Sequence, residues 1–366
     1  MWRCGPDSGA DCRVGLRAES WRKIGITLTS EVMAKTQSLC IGNLALRGGG
    51  ILCEAELSFT TYGQLAQSAD NAILITHGFT SSHQFIEEGG WATLVGPGCA
   101  IDTDKFFVVS SNMLGSSYGS TAPASVDPNT ARPYGPDFPA ITLQDIVDAQ
   151  YKLISLLGIK QLLAVIGPSY GGFQAFTWGV EYPDFVRALV PVESAPRAQS
   201  HFDGDALSAR FALDPNWNSG RYYATGGIDQ ALIALRMETL RRYGVEEGLR
   251  ATLPDQAAIE AEITRQAREW ATSFDAHSLL VLGRAMNTFD VTADLGRVKA
   301  RVLYVLSRTD ALFPPSLAPQ VMAAFAAAKV DASYFEIDTE HGHFGSDLDV
   351  QLWTPRLQSF LSELIS

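Results

Sequence analysis

Ser169 stands in the run Leu162-Leu163-Ala164-Val165-Ile166-Gly167-Pro168-Ser169-Tyr170-Gly171-Gly172, where an apolar stretch runs straight into G-P-S-Y-G and a helix-like segment follows. A serine hydroxyl is a weak nucleophile unless a sharp turn exposes it beside a base and beside donors for a developing oxyanion, and small flanking residues permit such a turn. Acyl transfer is the chemistry this context serves. A carboxylate and a histidine arrive later in the chain, Asp310 in S-R-T-D-A-L-F-P-P after the apolar run Val302 to Leu306, and His343 in E-H-G-H-F after Ser333 to Ile337. The order Ser, Asp, His, with each residue just past a strand, is far more specific than a G-x-S-x-G match alone.

Each of these residues has a rival reading. Asp310 could simply cap the helix start Leu312-Phe313-Pro314-Pro315, and Asp338 is an alternative carboxylate. His341 lies two residues from His343 in the same loop, and spacing does not separate them. For the oxyanion, one donor is the amide after the nucleophile, that of Tyr170. The second comes from the first strand-to-helix turn, Thr76-His77-Gly78-Phe79-Thr80, at Phe79. His77 and His83 could suggest a metal, but no third ligand has suitable spacing, so both are expected to make structural hydrogen bonds and no metal is expected.

The elements that position these residues are legible as apolar runs. Leu39 to Leu46 and Ile51 to Tyr62 flank Arg47-Gly48-Gly49-Gly50 and predict a hairpin at an antiparallel sheet edge. Ala72 to Thr76, Phe106 to Ser110, Leu162 to Ile166, Ala188 to Val192, Val302 to Leu306 and Ser333 to Ile337 are continuously apolar, as strands buried on both faces are. A mostly parallel sheet with helices on both faces follows. Between Val192 and Val302 no such strand occurs and Ala, Glu, Arg and Leu dominate, which predicts a helical cap inserted over residues 195–300. The core then comprises residues 33–194 and 301–366, and residues 1–32 read as a loose N-terminal extension, with Met33 a possible start of the functional chain.

Composition bounds the function. At 46% hydrophobic and 19% charged residues, with a mean hydropathy of +0.04, the chain is an ordinary globular protein without a membrane-length apolar run. Its net charge of −12 argues against a nucleic-acid partner. The cap carries 12 Lys and Arg against 14 Asp and Glu, and is less acidic than the remainder. The odd set Cys4, Cys12, Cys40, Cys53 and Cys99 lacks C-x-x-C spacing, and predicts free thiols in a reducing cytoplasm.

Longer phrases carry a resemblance. Thr61-Tyr62-Gly63, His77-Gly78-Phe79-Thr80, G-P-G-C-A-I-D-T-D-K-F-F-V-V-S-S-N from Gly96, L-G-S-S-Y-G-S-T from Leu114, Tyr134-Gly135-Pro136-Asp137-Phe138-Pro139, Asp214-Pro215-Asn216-Trp217, F-D-A-H-S from Phe274 and Asp310-Ala311-Leu312-Phe313-Pro314-Pro315 resemble the homoserine O-acetyltransferase family of α/β-hydrolase-fold enzymes. The resemblance runs from Leu52 to the C-terminus. It implies the α/β-hydrolase fold, a Ser-Asp-His triad, a ping-pong acyl-enzyme, a cap over a deep tunnel and a homodimer joined through the caps. It implies no resident cofactor, with acetyl-CoA a possible acyl donor. The family's histidine follows a glycine, which selects His343 after Gly342.

The resemblance breaks at informative places. Family members that acylate homoserine read G-H-D-A-F-L, where the Asp grips the amino group; here the phrase is G-H-F-G-S-D, with Phe344 at the acidic position and Asp347 three residues on. An ammonium would lose a charge-assisted hydrogen bond there. Pro168 and Tyr170 replace the usual Gly and Leu of the elbow. Arg236, in A-L-R-M, is a candidate for the family's carboxylate-binding arginine, with a surface role as the alternative. The reading favours hydrolysis of small acyl esters, with acetyl transfer to homoserine or another alcohol as the alternative and a non-catalytic binding module as the remote third.

Overall fold

Eight apolar segments align side by side because each has donors and acceptors along its backbone that only a neighbouring strand can satisfy away from water. In the computed structural model, which describes residues 36–250 and 253–365, they are β1 (Gln37–Ala45), β2 (Ile51–Tyr62), β3 (Ala72–Thr76), β4 (Phe107–Ser111), β5 (Leu162–Pro168), β6 (Ala188–Val192), β7 (Arg301–Ser307) and β8 (Ala332–Ile337). They form one sheet in the order β1-β2-β4-β3-β5-β6-β7-β8. β1 and β2 pair antiparallel, β2 joins β4 antiparallel, and every pairing from β4 to β8 is parallel. β1 starts two residues before the expected Leu39 and ends one before the expected Leu46, and β5 runs on to Pro168, delivering the chain directly to Ser169.

The parallel strands other than β8 are buried on both faces, and alternate residues serve two cores. β8 is the sheet edge, where only Ile337 is fully buried and Glu336 is exposed, contrary to the expectation for Ser333 to Ile337. Leu74, Val109, Val165, Leu189 and Val302 pack on one face with residues of α1 (Leu143–Leu156), α2 (Tyr170–Glu181) and, farther along, α8 (Ala318–Ala327). Ile73, Val108, Ile166, Val190 and Leu303 pack on the other with Trp353, Leu357 and Phe360, the last two on α10 (Thr354–Glu363). Each such aliphatic side chain contributes about 1.5–3 kcal/mol on burial. α1 starts at a capping box between Thr142 and Asp145, and Asp145 also accepts the Arg47 amide at 2.7 Å, tying the hairpin turn to the helix.

Between β6 and β7 the described residues contain α3 (Gly204–Phe211), α4 (Asp229–Arg242), α5 (Val245–Leu249), α6 (Gln256–Ala271) and α7 (Ala276–Asn287). α4 and α6 share a small core of Leu240, Ile259, Ile263 and Ala267. α7 turns its Leu282 and Ala285 into the main core. The four-residue α9 (Gly345–Leu348) follows β8.

The cysteines correct one expectation. Cys40 on β1 and Cys53 on β2 each take part in a disulfide, whereas Cys99 is a free thiol. Linear spacing does not report which Cβ atoms approach within bonding range, so the absence of C-x-x-C did not exclude oxidation. With two thiols oxidised, the cysteine argument for a reducing compartment no longer holds. Cys4, Cys12 and the expected extension over residues 1–32 lie outside the described residues. Among the described residues no helix is long and apolar enough to cross a membrane.

Candidate active site

The turn between β5 and α2 is tight enough to force an unusual backbone at Ser169, φ +56° and ψ −118°. A non-glycine residue held there is strained, and the strain is maintained by the surrounding packing. A Cβ on Gly167 would strike the Thr76 hydroxyl, one on Gly171 the Thr76 carbonyl, and one on Gly172 the Ser194 side chain. Glycine at these three places lets β3, β5 and β6 close around the turn. The Ser169 amide donates to the Val192 carbonyl at 2.8 Å, and the Ser194 hydroxyl donates to the Ser169 carbonyl at 2.8 Å.

Three residues from three strand ends meet at this turn. His343 Nε2 lies 2.9 Å from Ser169 Oγ, and His343 Nδ1 lies 2.8 Å from Asp310 Oδ2. Asp310 Oδ1 accepts the amides of Leu312 at 2.7 Å and Phe313 at 3.1 Å in a local turn. No helix starts at Leu312, and the 3-10 turn that follows, Pro315–Leu317, has Pro314 at its N-cap, so Asp310 does not cap it. Burial alone would pull the His343 pKa down, but the hydrogen bond and charge of Asp310, helped by the charge of Glu193, outweigh it and hold the pKa above its ordinary value. The rivals lie elsewhere. Asp338 is exposed and pairs with Arg308 at 2.6 Å, while His341 is exposed and turned to Asp349 at 2.8 Å.

The turn after β3 borders the same space. Gly78 and Phe79 line a cavity of about 580 Å³ together with Ser169 and His343, and a Cβ on Gly78 would sit 3.9 Å from the Ser169 Cβ. Tyr170 begins α2, its ring stacks on Phe79 at 5.6 Å, and its hydroxyl donates to the Leu282 carbonyl of α7 at 3.1 Å. His77 is buried between the Asn112 side chain and the Gly78 carbonyl, each at 2.9 Å, while His83 contacts the Thr36 hydroxyl at 3.2 Å. Burial depresses both imidazoles to about 4, which keeps them neutral. His83 Nδ1 is buried without a hydrogen-bond partner among the described residues.

Arg236 of α4 reaches the cavity wall rather than the surface. Its guanidinium donates to the Thr80 hydroxyl at 3.2 Å and lies 5.1 Å from the centre of the Trp270 ring, while its Nε is buried without a hydrogen-bond partner. Burial lowers its pKa. Phe344 also lines the cavity, with its ring edge-to-face on Tyr243 at 5.5 Å. Asp347 does not replace the missing carboxylate freely, because its Oδ1 accepts the amides of Gly90 at 2.7 Å and Trp91 at 3.0 Å.

One buried acid at the cavity was not singled out from sequence. Glu193 directly follows β6, at the same carboxyl edge as Ser169 and Asp310, and is 1% exposed. A charged residue closing the apolar run Ala188 to Val192 was the available signal. Among the described residues, no group of three His, Cys, Asp or Glu side chains is arranged to hold a metal ion.

Comparison with known proteins agrees with this architecture. The alpha/beta hydrolase fold family matches residues 71–349. Homoserine O-succinyltransferase of Methylibium petroleiphilum is 38% identical over 333 residues, spanning 82% of this chain and 86% of that protein. Homoserine O-acetyltransferase of Symbiobacterium thermophilum is 37% identical over 355 residues, spanning 88% and 92%. Among solved structures, esterase E22 aligns at a TM-score of 0.81 and 29% identity, covering 90% of this chain and all 100% of that one. Homoserine O-acetyltransferase of Bacillus anthracis aligns at 0.78 and 26%, covering 90% and 98%. The sheet order, the strand-end positions of the three polar residues and these matches together establish that the chain belongs to the homoserine O-acetyltransferase-like family of α/β-hydrolase-fold enzymes.

Proposed function

We propose that this acyl-transfer enzyme works as a hydrolase of small acyl esters through a Ser169 acyl-enzyme. Ser169 Oγ attacks the ester carbonyl while His343 Nε2 takes its proton, and Asp310 stabilises the resulting imidazolium. The amides of Phe79 and Tyr170 receive the oxyanion. As the tetrahedral intermediate collapses, the carbon–oxygen bond to the leaving alcohol breaks and His343 returns the proton to it. Water, deprotonated by the same imidazole, then attacks the acyl-enzyme and releases the acid and free Ser169.

The observation that carries hydrolysis over transfer to homoserine is Phe344. Its ring, packed on Tyr243, occupies the wall where an ammonium would need a carboxylate, and Asp347 is committed to the amides of Gly90 and Trp91. An amino-acid acceptor bound without its clamp competes poorly with water, and the acyl-enzyme hydrolyses. A second reading, acyl transfer to an alcohol that bears a carboxylate, draws on Arg236, whose buried Nε has no partner and which faces the cavity. The names of the curated relatives support that reading, and esterase E22 supports the first.

The deciding experiment supplies acetyl-CoA or p-nitrophenyl acetate with and without homoserine, recording thiol, nitrophenol and acetylated product. Hydrolysis predicts acetate formation that homoserine does not alter. Homoserine-dependent thiol release with stoichiometric acetylhomoserine would sink the hydrolase reading.

A further inference from the structure

Glu193 is a carboxylic acid sealed at the centre of the strand ends that carry the reactive residues. Its amide donates to the Val305 carbonyl at 2.8 Å, fixing it across β6 and β7, and its φ of +47° is a left-handed conformation that a glutamate adopts only under constraint. Its Oε1 accepts the Ser307 hydroxyl at 2.5 Å and the Ser346 amide at 2.9 Å, and its Oε2 accepts the Ser346 hydroxyl at 2.6 Å. Ser307 ends β7, three residues before Asp310, and Ser346 lies three residues after His343. The next residue in the chain, Ser194, holds the Ser169 carbonyl. One carboxylate and its neighbour thus link the strand end before Asp310, the turn that bears His343 and the elbow that bears Ser169.

No hydrogen bond or ion pair from Lys or Arg to this carboxylate is found among the described residues, an expensive condition for a buried charge. The titratable groups that face it are His343 and Asp310. Burial pushes the carboxyl up to about 7, opposed by the charge on His343 and the two serines and reinforced by Asp310. The reciprocal effect falls on the imidazole, whose proton affinity the Glu193 charge raises. A residue needed only for packing could be apolar at lower cost.

We propose that Glu193 is a positioning residue for acyl transfer, one that holds the His343 turn within reach of Ser169 and whose charge favours the His343 imidazolium formed when Ser169 loses its proton. This rests on the reading of Ser169, His343 and Asp310 as the reacting set. The residue does not touch substrate in this role. It acts through His343.

The test compares E193Q and E193D with the unaltered enzyme on p-nitrophenyl acetate, measuring kcat and KM separately across pH, together with thermal melting. E193Q keeps the shape and removes the charge, so kcat falls while KM holds. The acidic limb of kcat/KM moves to lower pH, because loss of the Glu193 charge lowers the proton affinity of His343. E193D keeps the charge and returns the limb to its original position. An E193Q enzyme with unaltered kcat and limb would overturn the proposal, as would a parallel loss of melting temperature and kcat in both variants with the limb unmoved. Should E193Q fail to fold, S346A serves instead: lowered kcat at constant KM supports the proposal and unaltered kcat overturns it. Fluorophosphonate labelling of S169A separates the two levels, because labelling that survives the loss of Ser169 refutes the reacting set itself, whatever Glu193 does.

Discussion

Phe344 and Tyr243 meet edge-to-face, ring centroids 5.5 Å apart, on the wall of the cavity that holds Ser169. The contact joins the loop after β8 to the residue just past α4, and it makes apolar a wall that lies beside His343. Replacing Phe344 by Asp introduces a carboxylate there. Acetyl transfer from acetyl-CoA to homoserine, measured against acetate formation, is expected to rise about tenfold or more, as a charge-assisted hydrogen bond of about 1.5–3 kcal/mol permits. An unchanged product ratio would count against the clamp argument.

The two histidines of the E-H-G-H-F loop separate cleanly by mutation. H343A and S169A should each lower kcat on p-nitrophenyl acetate by on the order of 10⁴ or more, and S169A should lose fluorophosphonate labelling. H341A should leave both readouts near their original values, since His341 is exposed and turned to Asp349. Loss of acyl-enzyme formation in H341A would reverse the assignment.

The pH profile follows from His343. With His343 as the proposed base, the imidazole must be neutral to accept the Ser169 proton, and because its pKa is held above the ordinary value, activity is expected to fall as pH drops through that raised pKa. Replacing Asp310 by Asn removes the main interactions that raise it. The acidic limb should then shift down while kcat falls by roughly 10⁴, read from a stopped-flow pH series.

Stability has a different acid limit. His77 and His83 are depressed to about 4, so between the unfolded value near 6.5 and about 4 the unfolded chain binds more protons than the folded one. Stability must therefore decline as pH falls through that window. Urea unfolding midpoints measured from pH 7 to pH 4 should drop, and H77N should flatten the slope.

Gly167 offers a packing test of the elbow. A Cβ there would meet the Thr76 hydroxyl and approach the Gly171 carbonyl oxygen at 2.8 Å. G167A should cost about 1–3 kcal/mol in urea unfolding and slow fluorophosphonate labelling of Ser169. Labelling at the original rate would show that the turn tolerates the added carbon.

Much of this molecule is local in origin. The apolar runs that became β1 to β8 are set by burial and backbone pairing over five to twelve residues, and so are the glycine-lined turn at Ser169 and the chain order of Ser169, Asp310 and His343. Other features depend on contacts between distant segments. Which of His341 and His343 faces Ser169 is a matter of side-chain direction across 174 residues of separation, and the depth of Arg236 depends on where α4 and α6 settle over the turn after β3. The oxidation of Cys40 and Cys53 and the sealing of Glu193 among three strand ends are of the same kind. Sequence pattern by itself determined the strands and the reactive residue types; only the tertiary structure decided orientation, burial and charge environment, because those arise where strand ends and loops meet in space.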